Sequence, residues 1–195
     1  MPCGTMVSQF VLQALYTGKP SDHGAAALEV LTSEAKNSWL HMMKQGATAT
    51  MEMWTPDEKP NLTWSHVWSA SPGFIIPWFL FGIQPLEPGW TKMAIKPAPG
   101  ALKHGEFRLP TVNGVVIAQF SKDSHDRAAL RLRVTLPLGT QARVSLPLLD
   151  PTSVDRSSLA MKIDGIMVDN CIEEDDHMTA PSVGPGEHTL QLVAR

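Results

Sequence analysis

The 195-residue chain divides into two halves with different residue patterns, and this division constrains the fold more than any other feature. All six tryptophans lie within the first 90 residues, whereas Val, Leu, Arg and Thr alternate beyond Trp90. Between the halves, the segment from Gln84 to Gly89 contains two prolines and a glycine, which is typical of a turn or linker. We therefore place a domain boundary here, with one domain over residues 1–88 and a second over residues 89–195.

Apolar residues recur every three or four positions in the first half, which predicts helices. Four are expected, at about residues 6–15, 21–31, 38–45 and 71–81. Pro77 should kink the last helix or leave one of its carbonyls unpaired. No period holds between Gly46 and Ala70, so we predict a long loop there, and long ordered loops in helical domains often carry function.

Alternation of apolar and polar residues predicts about eight short strands in the second half. In the run from Leu130 to Leu136, the leucines and Val134 face one way and the arginines the other. Asn113-Gly114 indicates a hairpin, and the acidic run from Glu173 to Asp176 is expected to be a solvated loop. Short strands at this spacing favour an antiparallel β-sandwich, so the expected fold class is α+β.

Composition excludes several classes of partner. The net charge of −3 provides no basic surface for nucleic acid. Cys3 and Cys171 lie at opposite ends and cannot alone form a disulfide framework or a zinc cluster, so no metal site is expected. The longest apolar run, from Gly73 to Ile83, is too short to span a membrane, and no signal peptide is visible, which leaves the compartment open.

The long loop contains a candidate acid or base. Glu52 lies between Met51, Met53 and Trp54, and such apolar surroundings should disfavour the ionised carboxylate and raise its pKa. A carboxyl group with a raised pKa suits proton transfer. The alternative is that Glu52 is an ordinary surface or salt-bridge residue.

Aromatic residues in the same loop suggest a binding surface for sugars. Trp54, Trp64 and Trp68 have flat apolar faces that can stack on the C–H face of a sugar ring, and His66 can donate to a sugar hydroxyl. The alternative is that the indoles belong to the core and that His66 is structural.

Three segments of the chain resemble the C-terminal part of α-L-rhamnosidases of glycoside hydrolase family 78. They are Gly46–Trp54, Lys59–Pro72 and Leu80–Trp90. In that family, a Gly-Ala-Thr-Thr segment leads into Trp-Glu-x-Trp, then Ser-His-x-Trp, then Gly-Ile-x-Pro-Leu-x-Pro-Gly. The resemblance covers essentially the whole chain and is strongest between residues 38 and 97. This chain departs from the family at two positions. Met51 stands where Trp-Glu-x-Trp has its first tryptophan, and Ala49 is a change within the Gly-Ala-Thr-Thr segment.

The resemblance implies the last helices of an (α/α)6 barrel followed by a C-terminal β-sandwich. It implies inverting hydrolysis of terminal α-L-rhamnose from rhamnose-containing glycosides, without an organic cofactor. Glu52 matches the family's general base and His66 a histidine of the sugar pocket, while Trp54 lies on the same wall.

An inverting glycosidase also needs a general acid, and in the family this residue lies well upstream in the barrel. The acids before Glu52 are Asp22, Glu29 and Glu34, all on or beside ordinary helices. Six hairpins need about twelve helices, two per hairpin, and four are expected here. We therefore interpret the chain as part of a rhamnosidase whose barrel needs a further N-terminal portion. The alternative is a catalytically inactive truncated homologue that serves only as a carbohydrate-binding or structural module. An unrelated sandwich adaptor with a helical lobe is a third, weaker interpretation.

Overall fold

A computed structural model describes residues 3–18, 24–122, 130–148, 159–174 and 176–194 of the chain. In these residues, a few short helices precede two β-sheets. The predicted fold class, α+β with helices followed by antiparallel sheets, is confirmed.

Four α-helices occupy the described part of the first half: α1 (Ser8–Gly18), α2 (Ala25–Leu31), α3 (Trp39–Lys44) and α4 (Pro72–Ile75). A 3₁₀ turn over Thr5–Val7 leads into α1. The Ser38 hydroxyl caps α3 by accepting a hydrogen bond from the His41 N–H at 3.1 Å. Leu12, Ala27 and Ile75 are fully buried between α1, α2 and α4. All four predicted helices are present, although residues 21–23 of the second lie outside the described residues.

Pro77 interrupts the last helix in an unexpected form. The chain widens into a π-helical turn over Ile76–Leu80, and the Phe81 N–H donates to the Ile76 carbonyl, five residues earlier, at 3.0 Å. Proline has no N–H to continue the α-helical pattern, and its ring would collide with the carbonyl of the preceding turn. At the end of this turn, the Ala98 N–H donates to the Leu80 carbonyl at 3.0 Å, which joins the helix end to the chain after β2.

Eleven strands in the described residues form two sheets. The five-stranded sheet has the order β1-β2-β6-β10-β9, and the six-stranded sheet has the order β3-β4-β5-β11-β7-β8. Neighbouring strands are antiparallel except for β2 and β6, which are parallel. The strand bounds are β1 Ile83–Pro85, β2 Lys92–Ile95, β3 His104–Thr111, β4 Gly114–Lys122, β5 Leu130–Leu136, β6 Gln141–Pro147, β7 Leu159–Ile163, β8 Ile166–Val168, β9 Ile172–Glu174, β10 His177–Thr179 and β11 Gly186–Ala194.

The core of the second half lies between the two sheets. Alternate residues of β5 are buried, and they pack in one cluster with buried residues of β2, β6 and β10 from the other sheet. The predicted inward face of β5 is confirmed: Leu130, Leu132 and Val134 are fully buried, and Leu136 is nearly so. Burial of this apolar surface is the main force that holds the sheets together.

Two local predictions met different outcomes. The expected hairpin is present, but its two-residue turn is Val112-Asn113 rather than Asn113-Gly114, because Thr111 pairs with Gly114. The acidic run was wrongly expected to be entirely loop, because Ile172–Glu174 forms β9, an exposed strand at the edge of its sheet. Charged residues suit this position because they discourage pairing with another chain.

The first half continues through Gly82 into strand β1, so part of the predicted turn or linker from Gln84 to Gly89 is strand. Gly82 has a φ of 67° and directly precedes β1, whose Ile83 pairs with Ile95 of β2. The Lys96 N–H donates to the Gly82 carbonyl at 3.1 Å. Strand β1 therefore lies before residue 88 and belongs to the sheet, while the position of the domain boundary stays a prediction.

Replacing Gly82 with alanine should destabilise the chain by at least about 2 kcal/mol. An added Cβ would lie 1.9 Å from the Lys96 carbonyl oxygen, and the positive φ disfavours any other residue. Urea unfolding measures the change in free energy of unfolding. Gly73→Ala is the matched control, because nothing lies within 4 Å of its Cβ position in α4, and it should stabilise the chain by up to about 1 kcal/mol. Equal stability of the two variants would contradict this account.

Candidate functional site

The long loop between residues 46 and 70 folds back on itself, and its two arms pair through the backbone. The His66 N–H donates to the Thr50 carbonyl at 2.7 Å, and the Glu52 N–H donates to the Thr63 carbonyl at 2.9 Å. The Thr50 hydroxyl returns a hydrogen bond to the His66 carbonyl at 3.0 Å. This pairing places Glu52 and His66 on neighbouring arms, although 14 residues separate them in the sequence.

The backbone around Glu52 is fixed from both ends of the helical half. The Thr5 hydroxyl donates to the Glu52 carbonyl at 2.5 Å, and the Ser69 hydroxyl donates to the Met51 carbonyl. Beneath this backbone, Met51 packs with Met42 and Trp54 in a separate buried cluster. The loop is therefore anchored where it carries the candidate carboxylate.

The Glu52 side chain is buried and bound to two donors. Only 6% of the residue is exposed. The Lys59 ammonium contacts Oε1 at 2.5 Å, and the Thr63 N–H donates to Oε2 at 3.2 Å. The hydrogen bond from Lys59, followed by that from Thr63, holds the pKa of Glu52 below its ordinary value although burial acts in the opposite direction. The expectation that the ionised form is disfavoured was therefore wrong.

Trp54 has a different environment from the one the sequence suggested. It is 1% exposed, its indole N–H donates to the Cys3 carbonyl at 2.7 Å, and its ring meets that of Trp39 edge-on at 5.2 Å. No face of this indole is open to a sugar. Its packing instead supports the backbone next to Glu52.

The other two candidate tryptophans and His66 lie at the surface of the loop. Trp64 is 46% exposed and Trp68 41% exposed. The His66 ring lies 4.6 Å from the Trp68 ring, and Nδ1 of His66 accepts the Trp68 N–H at 3.1 Å. Because Nδ1 is an acceptor, neutral His66 carries its proton on Nε2, which can donate to a hydroxyl group.

The other carboxyl groups of the loop are bound elsewhere. Asp57 and Glu58 lie in a 3₁₀ turn over Pro56–Glu58. Glu58 accepts a hydrogen bond from Thr55 at 3.1 Å, and Asp57 forms an exposed ion pair with Lys36 at 3.8 Å. Across the described ranges, no three residues of the types that bind metals come together as a metal site. None of the described helices is long and apolar enough to cross a membrane.

Two family models define the class of protein as a glycosidase with six-hairpin and C-terminal domain regions. Residues 1–81 match the model of the bacterial α-L-rhamnosidase six-hairpin glycosidase domain, and residues 82–158 match that of the bacterial α-L-rhamnosidase C-terminal domain. The chain belongs to the α-L-rhamnosidase family of glycoside hydrolases, as the sequence resemblance implied.

Solved structures of rhamnosidases share this fold. The α-L-rhamnosidase of Dictyoglumus thermophilum superposes with a TM-score of 0.80 at 20% identity, over 98% of this chain and 21% of that one. The enzyme from Streptomyces avermitilis, solved with L-rhamnose, gives 0.70 at 21% identity over 90% of this chain and 17% of that one. The enzyme from Aspergillus terreus superposes with a TM-score of 0.63 at 21% identity, over 86% of this chain and 17% of that one. The chain thus spans about a fifth of their length. No curated protein matches it.

Sequence reasoning missed Lys59 and Thr63, which both donate to the Glu52 carboxylate. Both lie within a segment that carries the family resemblance, but no local pattern connects either of them with Glu52. Their contacts depend on the folding back of the loop, which brings positions seven and eleven residues away onto one carboxylate.

Replacing Lys59 with methionine should raise the pKa of Glu52. The cation and its hydrogen bond are lost, while the burial that disfavours the charged form remains. Side-chain carboxyl ¹³C NMR over a pH titration measures the shift. Lys36→Met, which removes the exposed partner of Asp57, is the matched control and should leave Glu52 unchanged.

The same variant should alter the dependence of stability on pH. A carboxyl whose folded pKa is lowered stabilises the fold above its unfolded pKa, and this contribution disappears as the pH falls through the folded value. Lys59→Met should therefore lose stability mainly at neutral pH. An unchanged Glu52 pKa in Lys59→Met would contradict the role assigned to this ion pair.

Proposed function

We propose that this chain contributes the general base and part of the sugar pocket to an inverting α-L-rhamnosidase. The observation that carries the proposal is the Glu52 carboxylate, buried, kept ionised by Lys59 and located on a paired loop with His66. Membership of the family supports rhamnose-containing glycosides as the substrate class.

Glu52 acts on the water that attacks the anomeric carbon. The carboxylate accepts a proton from this water as the new carbon–oxygen bond forms, and the glycosidic bond on the opposite face breaks. A base must be unprotonated to work, and Lys59 favours that state. The lowered pKa makes Glu52 a weaker base but keeps its carboxyl group deprotonated at neutral and mildly acidic pH.

The sugar is held by the exposed aromatic residues of the same paired loop. Trp64 and Trp68 provide accessible indole surface for stacking, and His66 Nε2 donates to a hydroxyl group. Trp54 acts indirectly, because its packing keeps the Glu52 backbone in place.

The general acid is proposed to come from helices that complete the barrel. In inverting enzymes, two carboxyl groups lie about 6.5–9.5 Å apart, with room for the water between them. Asp57 and Glu58 are bound to other groups, which argues against either as the acid. The small share of the solved rhamnosidases that the chain spans is consistent with an acid located elsewhere in the domain.

An apolar cleft in the helical half is the proposed contact for those helices. Its volume is about 680 Å³, and leucines of α2, Trp39 of α3, and Pro72 and Gly73 of α4 lie along it. Elsewhere in the helical half, Met6 and Phe10 are also exposed. Exposed apolar surface of this extent usually marks a contact with further protein.

The 195-residue chain by itself should not hydrolyse an aryl α-L-rhamnoside, because it supplies the base without the acid. Release of the coloured phenol measures turnover. If the 195-residue chain did hydrolyse the rhamnoside, and Glu52→Gln abolished this turnover, the general acid would have to lie within the chain. That result would contradict the proposed source of the acid but support Glu52 as the base. The alternative is a non-catalytic carbohydrate-binding or structural module. It would be supported if the chain bound rhamnosides and stayed inactive even when the remaining helices of the domain were added.

In a protein in which the remaining helices of the six-hairpin domain precede residue 1, Glu52→Gln should lower turnover by about 10²- to 10⁴-fold, the usual contribution of a general base. Glutamine keeps the shape of the side chain but cannot accept the proton. Glu58→Gln is the matched control, because Glu58 lies in the same loop, exposed and bound to Thr55. It should retain normal turnover. Near-normal turnover of Glu52→Gln would end the assignment.

A further inference from the structure

A second cleft lies where the helical half meets the five-stranded sheet. Its volume is about 340 Å³, and its walls come from α1, the π-helical turn, β1, β2 and β10. None of its lining residues belongs to the loop that carries Glu52. The cleft is therefore separate from the proposed rhamnosidase site.

Backbone contacts fix the shape of this cleft. The Gly82 and Lys96 backbones lie so close that only glycine fits at position 82, and Lys96 donates to the Gly82 carbonyl at 3.1 Å. At Gly24, an added Cβ would lie 2.3 Å from the Tyr16 ring and 2.8 Å from the Ala98 carbonyl oxygen. These close contacts, together with the hydrogen bonds from Lys96 and Ala98, hold the walls of the cleft together.

The lining combines aromatic rings with hydrogen-bonding groups. Tyr16 and Phe79 are stacked at 5.6 Å, and Trp78 is 41% exposed beside them. The lining residues with polar side chains include Gln84, Lys96 and His177. Gln84 also donates to the Trp78 carbonyl at 2.6 Å, which ties β1 to the aromatic wall.

The charge of the cleft restricts the ligand. No described residue with a carboxylate lines it, and Lys96 has no carboxylate partner within the described part of the chain. A cationic ligand is therefore disfavoured. A wholly apolar ligand is disfavoured as well, because it would cover Lys96 and Gln84 without offering them hydrogen bonds.

We propose that this junction cleft binds a single pyranose ring. The volume lies at the small end of ligand pockets, which fits one sugar ring. The apolar C–H face of the ring packs on Trp78, and its hydroxyls accept from Lys96 and exchange hydrogen bonds with Gln84. The proposal goes beyond the rhamnosidase function and does not depend on it.

Binding is tested by NMR titration of the whole chain with methyl β-D-glucopyranoside, methyl α-L-rhamnopyranoside and cyclohexanol. At least one of the two sugars should shift the amide resonances of Ala94 and Ala98, which line the cleft, in a saturable way with a dissociation constant in the millimolar range. Cyclohexanol, of similar size but with one hydroxyl group, should bind more weakly. No saturable shift with either sugar, or equal binding of cyclohexanol, would overturn the proposal.

Two variants connect this binding to the named residues. Trp78→Ala should weaken sugar binding about tenfold through the lost stacking. Lys96→Met keeps the aliphatic part of the side chain but removes the hydrogen-bond donor, and should weaken sugar binding several-fold. Lys103 is an exposed lysine outside the cleft, so Lys103→Met should leave sugar binding unchanged. Amide dispersion in the spectrum confirms that each variant is folded. Wild-type affinity in Lys96→Met and in a folded Trp78→Ala would overturn the proposal. Glu52→Gln should leave binding at the cleft unchanged, so the outcome is independent of the hydrolase assignment.

Discussion

The close backbone contact between Gly82 and Lys96 determines how the two halves of this chain meet. It sets the end of the last helix directly against β1 and β2, because the Lys96 N–H and the Ala98 N–H donate to the carbonyls of Gly82 and Leu80. The π-helical turn that Pro77 imposes brings Leu80 and Phe81 into the core of the sandwich. The same turn carries Trp78 and Phe79, which line the junction cleft.

The candidate site depends on a balance between two opposing effects on one carboxylate. Burial of Glu52 above Met51 and Trp54 favours the neutral acid, whereas Lys59 and the Thr63 N–H favour the anion, and the anion prevails. Neither donor would reach Glu52 if the two arms of the loop were not paired. Backbone hydrogen bonds of an irregular segment thus position the donors that lower the pKa of a proposed catalytic group.

Much of the fold was predictable because its causes are local. The alternation from Leu130 to Leu136 determines which side of β5 faces the core, and Pro77 cannot continue an α-helix whatever surrounds it. The parallel pairing of β2 with β6 and the existence of β9 were not predictable, since they depend on partners distant in sequence.

The site shows the same division. The position of Glu52 followed from the family resemblance, and its burial from its apolar neighbours, but the direction of its pKa shift did not. Among the tryptophans, sequence alone could not separate the buried Trp54 from the exposed Trp64 and Trp68. That separation depends on contacts with Cys3 and Trp39, which no spacing rule relates to Trp54.

The placement of β1 has a consequence for how such proteins are inherited. Because this strand follows Gly82 immediately and completes an edge of the five-stranded sheet, the sandwich and the end of the helical part share one continuous hydrogen-bonded structure. A gene rearrangement that replaced everything up to Gly89 with a foreign sequence would remove β1 from the sheet. We therefore expect recombination to keep the coding regions of the two parts joined, so that they are inherited as a single unit.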